Sequence, residues 1–126
     1  MEKTIMVGDK EVKLRASALV PRLYRFRFGR DMLQDMARLK DALKKAEALP
    51  LNATEEQRRE AQFSVLDLTI FENAAYIMAR HADPEVPETL EEWMEGFEMF
   101  SIYEVLPQIL ELWQLGCATT SSSKKK

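Results

Sequence analysis

The sequence predicts a mainly α-helical fold, a small helical bundle around a long central helix with an N-terminal β-hairpin. Three observations favour this class. Apolar residues recur at helical spacing through most of the chain, capping signatures open three separate segments, and four glycines are few for a fold rich in tight β-turns. We expect residues 1–116 to form a single domain and residues 117–126, which lack core-forming side chains, to be disordered.

The first predicted element is a β-hairpin over residues 3–15. Gly8-Asp9-Lys10 is a turn sequence between two short runs of strand-forming residues, and Val12 and Leu14 alternate with charged side chains. Because two strands alone are marginally stable in water, this hairpin must pack against helices.

The segment after the hairpin, residues 18–28, is predicted to be a helix with Ser17 as its cap and Gly29 at its end. Aromatic and basic residues alternate over residues 24–28, which also fits a strand. The cap and Pro21, which is tolerated in a first helical turn, favour the helix.

A basic helix is expected next over residues 32–48, with Asp31 as its N-cap. The central helix is then predicted over residues 54–81. Thr54 and Gln57 form a capping box at its start, and its apolar arc is wide enough to need neighbours from at least two directions.

Asp67 is the exception within the apolar arc of the central helix, where an unpaired carboxylate would be costly. An arginine-rich segment, residues 22–30, precedes it in the chain. We therefore expect a buried ion pair between Asp67 and Arg25 or Arg22.

Two more helices are expected after a stiff Pro/Glu connector at residues 84–88. A capping box opens each of them, one over residues 89–98 and one over residues 101–116. The first is short and crowded with apolar side chains, and the candidate partner-binding residues are Trp93, Met94, Phe97, Met99, Phe100 and Tyr103. These residues either complete the core or form a surface for self-assembly or for a partner helix.

Charge is unevenly distributed along the chain. Residues 1–53 hold twelve Lys/Arg against seven Asp/Glu, whereas residues 82–123 hold nine acids and no Lys or Arg. The two halves either pair inside the fold or associate head to tail between copies. Nucleic-acid binding is not favoured, because the whole chain carries a net charge of −3 and acids dilute its basic segment.

Catalytic chemistry is not expected. The sequence has no glycine-rich phosphate loop, HExxH or CxxC, and one cysteine and one histidine are too few for a Cys/His zinc site. We therefore predict no enzyme, no catalytic residue, no metal and no cofactor. No apolar run reaches the roughly 20 residues of a membrane span, so no membrane association and a cytoplasmic location are expected.

Four motifs in order carry a family resemblance: IMVGDKEVKLR, SALVPRLYRFRFGRD, DLTIFENAAYIMARHADPEVP and TLEEWMEGF. Together they resemble the tail assembly chaperones of long-tailed bacteriophages and prophages of Gram-positive bacteria. The similarity covers about residues 3–115.

This resemblance implies a non-enzymatic chaperone in the cytoplasm of a bacterial host. It would bind the tape measure protein, keep it soluble while tail tube protein assembles around it, self-associate, and be absent from the mature virion. The family often makes a longer product by programmed frameshifting, and the lysine run at residues 124–126 is compatible with slippery codons. The alternative function is a small regulatory nucleic-acid-binding protein that uses arginines of residues 22–30 around Phe26 and Phe28.

Overall fold

The computed structural model of the protein describes residues 1–116, so the predicted disorder of residues 117–126 lies outside the described residues. Within residues 1–116, two strands precede six helices. The elements are β1 (Glu2–Val7), β2 (Lys10–Arg15), α1 (Val20–Phe28), α2 (Met32–Glu47), α3 (Glu55–Glu60), α4 (Val65–Ala82), α5 (Leu90–Glu95) and α6 (Ile102–Gly116). The predicted mainly helical fold with an N-terminal hairpin is confirmed.

The hairpin is antiparallel, with Ile5 opposite Val12 and a two-residue turn at Gly8-Asp9. Gly8 has φ 65°, a left-handed conformation that glycine adopts without a steric penalty. One face of the hairpin is buried, and its apolar side chains join the core together with those of α4 and α6. The helices therefore supply the support that two isolated strands lack.

The predicted central helix over residues 54–81 is two helices in the structure. Thr54 and Gln57 do form the predicted capping box, but the helix that they open, α3, ends at Glu60. A second capping box, formed by Ser64 and Asp67, begins α4. Packing on α4 comes from many sides, because β2, α1, α2, α5 and α6 all contact it.

The segment before Gly29 is helical, as predicted, and the strand alternative is wrong. Gly29 ends α1 in a left-handed conformation with φ 68°, and its N–H donates to the Arg25 carbonyl. The start differs from the prediction, because α1 begins at Val20 and the Ser17 hydroxyl accepts a hydrogen bond from the Leu19 N–H one turn earlier. Asp31 caps α2 through the Leu33 N–H.

A buried polar network joins α1 to α2. Tyr24, which is fully buried, donates its hydroxyl hydrogen to Asp35 at 2.7 Å, and Arg30 donates to both Asp35 oxygens at 2.7 and 2.9 Å. Burial raises the Asp35 pKa, but the hydrogen bonds from Arg30 and Tyr24 and the Arg30 charge outweigh it and hold that pKa below 3.8. Burial, followed by the neighbouring carboxylate, raises the pKa of the Tyr24 hydroxyl. Asp35 is therefore a satisfied structural carboxylate.

The C-terminal helices α5 and α6 also pack against α4, and their buried side chains belong to the core. α5 begins at the predicted cap but ends at Glu95, and α6 continues through Pro107 to Gly116. At its end, α6 lies so close to the chain after β2 that a Cβ on Gly116 would meet the Ala16 carbonyl oxygen at 2.6 Å. None of the helices described in residues 1–116 combines the length and apolar character needed to cross a bilayer.

Candidate partner-binding surface

The six aromatic and methionine side chains predicted to bind a partner separate into three environments. Trp93 is only 6% exposed and packs its ring against the rings of Tyr76, Phe97 and Phe100, at centroid distances of 5.6, 5.1 and 5.5 Å. Met94, Phe97 and Phe100 are half-buried against the core. Met99 and Tyr103 are exposed, at 70% and 60%.

Phe63, in the loop between α3 and α4, is partly buried against the core and contacts one of these exposed side chains. Its ring lies edge-on to the ring of Tyr103, with centroids 5.4 Å apart. Leu66, in the first turn of α4, is exposed. We name Phe63, Leu66, Met99, Phe100 and Tyr103 the α4–α6 surface.

The base of the α4–α6 surface is an aromatic stack. Phe100 lies over Phe71 of α4 with ring centroids 5.1 Å apart and an interplanar angle of 27°. Phe71 is buried, and Trp93 packs edge-on against the same Phe100 ring. Because interdigitated aromatic rings have few alternative rotamers, the exposed side chains stand on a well-packed support.

The sequence did not predict the contribution of α4 to this surface. Val65, Leu66 and Leu68 are all exposed on its first turns. A helix running through residues 54–81 would have placed Leu66 in its apolar arc, whereas the break at residues 61–64 leaves Leu66 in the first turn of a new helix. The spacing Ser64-x-x-Asp67 was the available signal, since it is an N-terminal capping signature in its own right.

Asp67 fixes the start of α4 and forms an ion pair, but its partner is Arg38 of α2. The predicted pair with Arg25 or Arg22 is wrong. The Asp67 carboxylate accepts hydrogen bonds from Arg38 Nε at 2.7 Å and from the Ser64 N–H at 2.9 Å.

Position explains this choice of partner. Asp67 lies in the first turn of α4, against α2, while Arg25 is exposed on the last turn of α1. Burial raises the pKa of Asp67, but the Ser64 N–H and the Arg38 guanidinium outweigh burial and hold it below 3.8.

The arginine-rich segment, residues 22–30, is partly committed to the fold. Arg27 lies over the Tyr76 ring at 5.0 Å and donates to the Glu88 carbonyl, and Arg30 pairs with Asp35. Arg22 and Arg25 are exposed, and Phe26 is 91% exposed. The aromatic side chains of this segment therefore do not all enter the core, because Phe26 is exposed whereas Tyr24 is buried and Phe28 is partly buried.

Within residues 1–116, no group of three or more His, Cys, Asp or Glu side chains is placed to hold a metal ion. No family model, no curated protein and no solved structure matches the chain. The geometry of the α4–α6 surface is therefore the basis for a functional proposal.

Proposed function

We propose that the protein is a non-enzymatic assembly chaperone that binds an apolar face of a long helical partner through the α4–α6 surface. The observation that carries the proposal is the exposure of Tyr103, whose ring contacts Phe63, and of Met99, which directly precedes the Phe100 ring of the packed aromatic base. Exposed apolar side chains gathered in one region are typical of protein-binding sites rather than of an inert surface.

The chemistry of this surface suits a helical ligand. An amphipathic helix presents apolar side chains at intervals of three, four and seven residues, and a shallow apolar surface bounded by two helices accommodates them. Met99 adds an unbranched, polarizable side chain that adapts to different partner residues along a long chain. Tyr103 adds a large contact area with a hydroxyl that remains solvated at the edge.

Charge on the neighbouring helix favours solubility of the complex. Glu91, Glu92, Glu95 and Glu98 are all exposed in and after α5. Residues 82–116 contain no Lys or Arg. A partner helix covered on its apolar side would therefore carry a negatively charged outer layer, and like charges oppose association of such complexes with one another.

The resemblance stated above supplies the identity that we propose for the partner, the tape measure protein of a phage tail. In this proposal the protein folds as a helical bundle around α4 and acts in the cytoplasm of the bacterial host. It self-associates, releases its partner as tail tube protein assembles, and is absent from the virion. A longer frameshifted product is part of the same proposal.

Co-expression with the long helical product of a neighbouring gene tests the proposal. We expect wild-type protein to keep that product in the soluble fraction and to co-purify with it. The double variant Met99→Ser, Tyr103→Ser removes mainly exposed apolar area and one edge-on ring contact, that of Tyr103 with Phe63. It should therefore fold normally and lose roughly tenfold or more of the co-purified product. Leu51→Ser is the matched control, because Leu51 is fully exposed but lies in the α2–α3 loop.

Nucleic-acid binding is the second candidate function, and the nearly complete exposure of Phe26 between Arg22, Arg25 and Arg27 favours it. An exposed ring flanked by guanidinium groups can stack on an unpaired base. Retention of single-stranded DNA that falls steeply with salt and is lost in Phe26→Ala, with no soluble complex on co-expression, would support this candidate over the chaperone.

A further inference from the structure

A second surface lies on the hairpin, far from the exposed residues of the α4–α6 surface in sequence. β2 pairs with β1 along one edge, and no strand within residues 1–116 pairs with its other edge. The Met1 ammonium donates to the Ala16 carbonyl at 3.0 Å, and the Ala16 N–H donates to the Met1 carbonyl at 2.9 Å. Hydrogen-bonded and non-hydrogen-bonded pairs alternate in an antiparallel ladder, so every second pair from Met1–Ala16 toward the turn is hydrogen-bonded. The pairs in between, such as Thr4 with Lys13, direct their backbone N–H and C=O groups away from the partner strand.

Glu11 and Lys13 therefore present their backbone groups on the outer edge of β2. In the part of the chain that the structure describes, no hydrogen bond outside the hairpin ladder uses these groups. Both residues are exposed. They stand two positions apart, which is the interval at which an added strand forms its hydrogen bonds.

A groove of about 250 Å³ lies beside this edge. Its lining residues come from β2, from the connector after α4 and from α5 and its end, and none of those in residues 1–116 comes from β1. The groove is therefore on the outer side of β2. Its apolar lining consists of Val12, Val86, Pro87, Trp93 and Phe97.

The combination selects an extended chain over a helix. A helix already satisfies its own backbone groups, so it would leave the N–H and C=O groups of Glu11 and Lys13 without partners. An extended segment pairs with them, and alternate side chains of that segment point to the same side. Those on the inner side would contact Val12 and Trp93, which are buried apolar residues at the groove.

Charge around the groove favours a basic segment. Asp83, Glu11 and Glu92 line it, and the helix α5 beyond them carries further exposed glutamates. Two lysines also line the groove. The ammonium group of one of them, Lys10, forms a cation–π interaction with Phe97, at 5.7 Å from the ring centre.

We propose that the outer edge of β2 binds an extended, basic peptide segment of a partner protein as an added third strand. This site is separate from the α4–α6 surface and uses backbone pairing where that surface uses apolar side chains. The protein would then hold two kinds of segment, one helical and one extended.

Two fluorescein-labelled hexapeptides probe the site, an alternating Lys-Val peptide and an alternating Glu-Val peptide, both blocked at their ends. Fluorescence polarisation should detect saturable binding of the basic peptide and at least roughly tenfold weaker binding of the acidic peptide. Amide hydrogen exchange of the wild-type protein should slow at Glu11 and Lys13 when the basic peptide is added. It should remain unchanged at Thr4 and Met6, which present the same groups on the opposite edge.

Proline variants provide the matched test. Lys13→Pro removes an outward N–H without removing a ladder hydrogen bond, and it should weaken binding of the basic peptide by roughly tenfold. Thr4→Pro makes the same change directly opposite, on β1, and should leave binding within about twofold of wild type. Lys13→Thr retains the N–H and controls for the lost lysine charge, so it should bind the basic peptide at least as tightly as wild type does.

Equal affinity for the two peptides would overturn the charge argument. Slowed exchange at Thr4 in place of Lys13 would overturn the assignment of the edge. Slow exchange at Glu11 and Lys13 in a self-associated protein without peptide would also overturn the proposal, because a second copy would then occupy that edge. Met99→Ser, Tyr103→Ser should bind the basic peptide normally, so failure of the chaperone proposal and failure of this one give different results.

Discussion

The Arg38–Asp67 pair offers a quantitative test of how α4 is fixed on α2. Asp67→Ala removes two hydrogen bonds from a carboxylate that is 5% exposed, one to the Ser64 N–H and one to Arg38. Loss of a capping interaction costs about 1 kcal/mol, and a hydrogen bond between charged groups contributes about 1.5–3 kcal/mol. The Arg38 side chain is 49% exposed and can return to water, so the lower end of that second range applies.

We therefore expect Asp67→Ala to lower the free energy of unfolding by about 2.5 kcal/mol, which at this chain length lowers the melting temperature by about 10 °C. A double-mutant cycle isolates the pair. The Arg38→Ala and Asp67→Ala cycle should give a coupling energy of about 1–1.5 kcal/mol, whereas the matched cycle with Arg25→Ala should give less than about 0.3 kcal/mol.

Urea unfolding monitored by circular dichroism and by the fluorescence of the buried Trp93 and Trp113 measures both cycles. Ser64→Ala is a useful addition, because it removes the reciprocal half of the capping box and should cost about 1 kcal/mol. A coupling energy with Arg25 equal to that with Arg38 would refute the packing of α4 on α2 described here.

Three further predictions concern the same core. Burial, together with the charges of Arg15 and the N-terminal ammonium, lowers the pKa of His81 below 6.5. The free energy of unfolding should therefore be at its full value above pH 6.5 and decrease as the pH falls below it. The variant His81→Gln should lose this pH dependence. Tyr24→Phe removes a hydrogen bond to a buried carboxylate, so it should cost about 1–2 kcal/mol and move acid unfolding to higher pH because the Asp35 pKa rises toward 3.8. Gly116→Ala should cost about 1–3 kcal/mol, because its Cβ would meet a backbone carbonyl at 2.6 Å. Gly96→Ala should cost less, because the nearest atoms to its Cβ include a flexible lysine ammonium at 3.3 Å. Thermal melts of the two variants measure the difference.

Local sequence signals predicted much of the fold. The alternation of Val12 and Leu14 identified β2, Gly29 identified the end of α1, and Asp31 identified the start of α2. Each of these features depends on the chemistry of one residue and its immediate neighbours, which the sequence contains in full.

The central helix and its ion pair were predicted less well. Periodicity continued across residues 61–64, and only the Ser64-x-x-Asp67 capping signature marked the break. The choice of Arg38 over Arg25 depends on which helix packs beside the α4 start, a long-range relation that residue pattern does not determine. Because α4 begins at Val65, Asp67 lies in its first turn and forms the capping box with Ser64. The Asp67 carboxylate therefore does not require an ion pair with an arginine of α1.

The candidate surface was predicted only in part for a related reason. The Trp93–Tyr103 segment was identified as rich in apolar residues, but exposure depends on where α5 stops. Because α5 ends at Glu95, Phe100 reaches back onto Phe71 while Met99 remains exposed. Met99 and Phe100 are adjacent apolar residues, yet one is exposed and the other packs on Phe71, so residue identity alone does not separate core from surface here.

The central claim is that the α4–α6 surface keeps a long helical partner soluble, and one measurement tests it most directly. The partner is co-expressed with wild-type protein, with Met99→Ser, Tyr103→Ser and with Leu51→Ser, and its soluble fraction is quantified. The account predicts that wild type and Leu51→Ser keep the partner soluble and that the double variant, although folded, does not. Equal solubility of the partner with all three proteins, or an insoluble partner with all three, would contradict it.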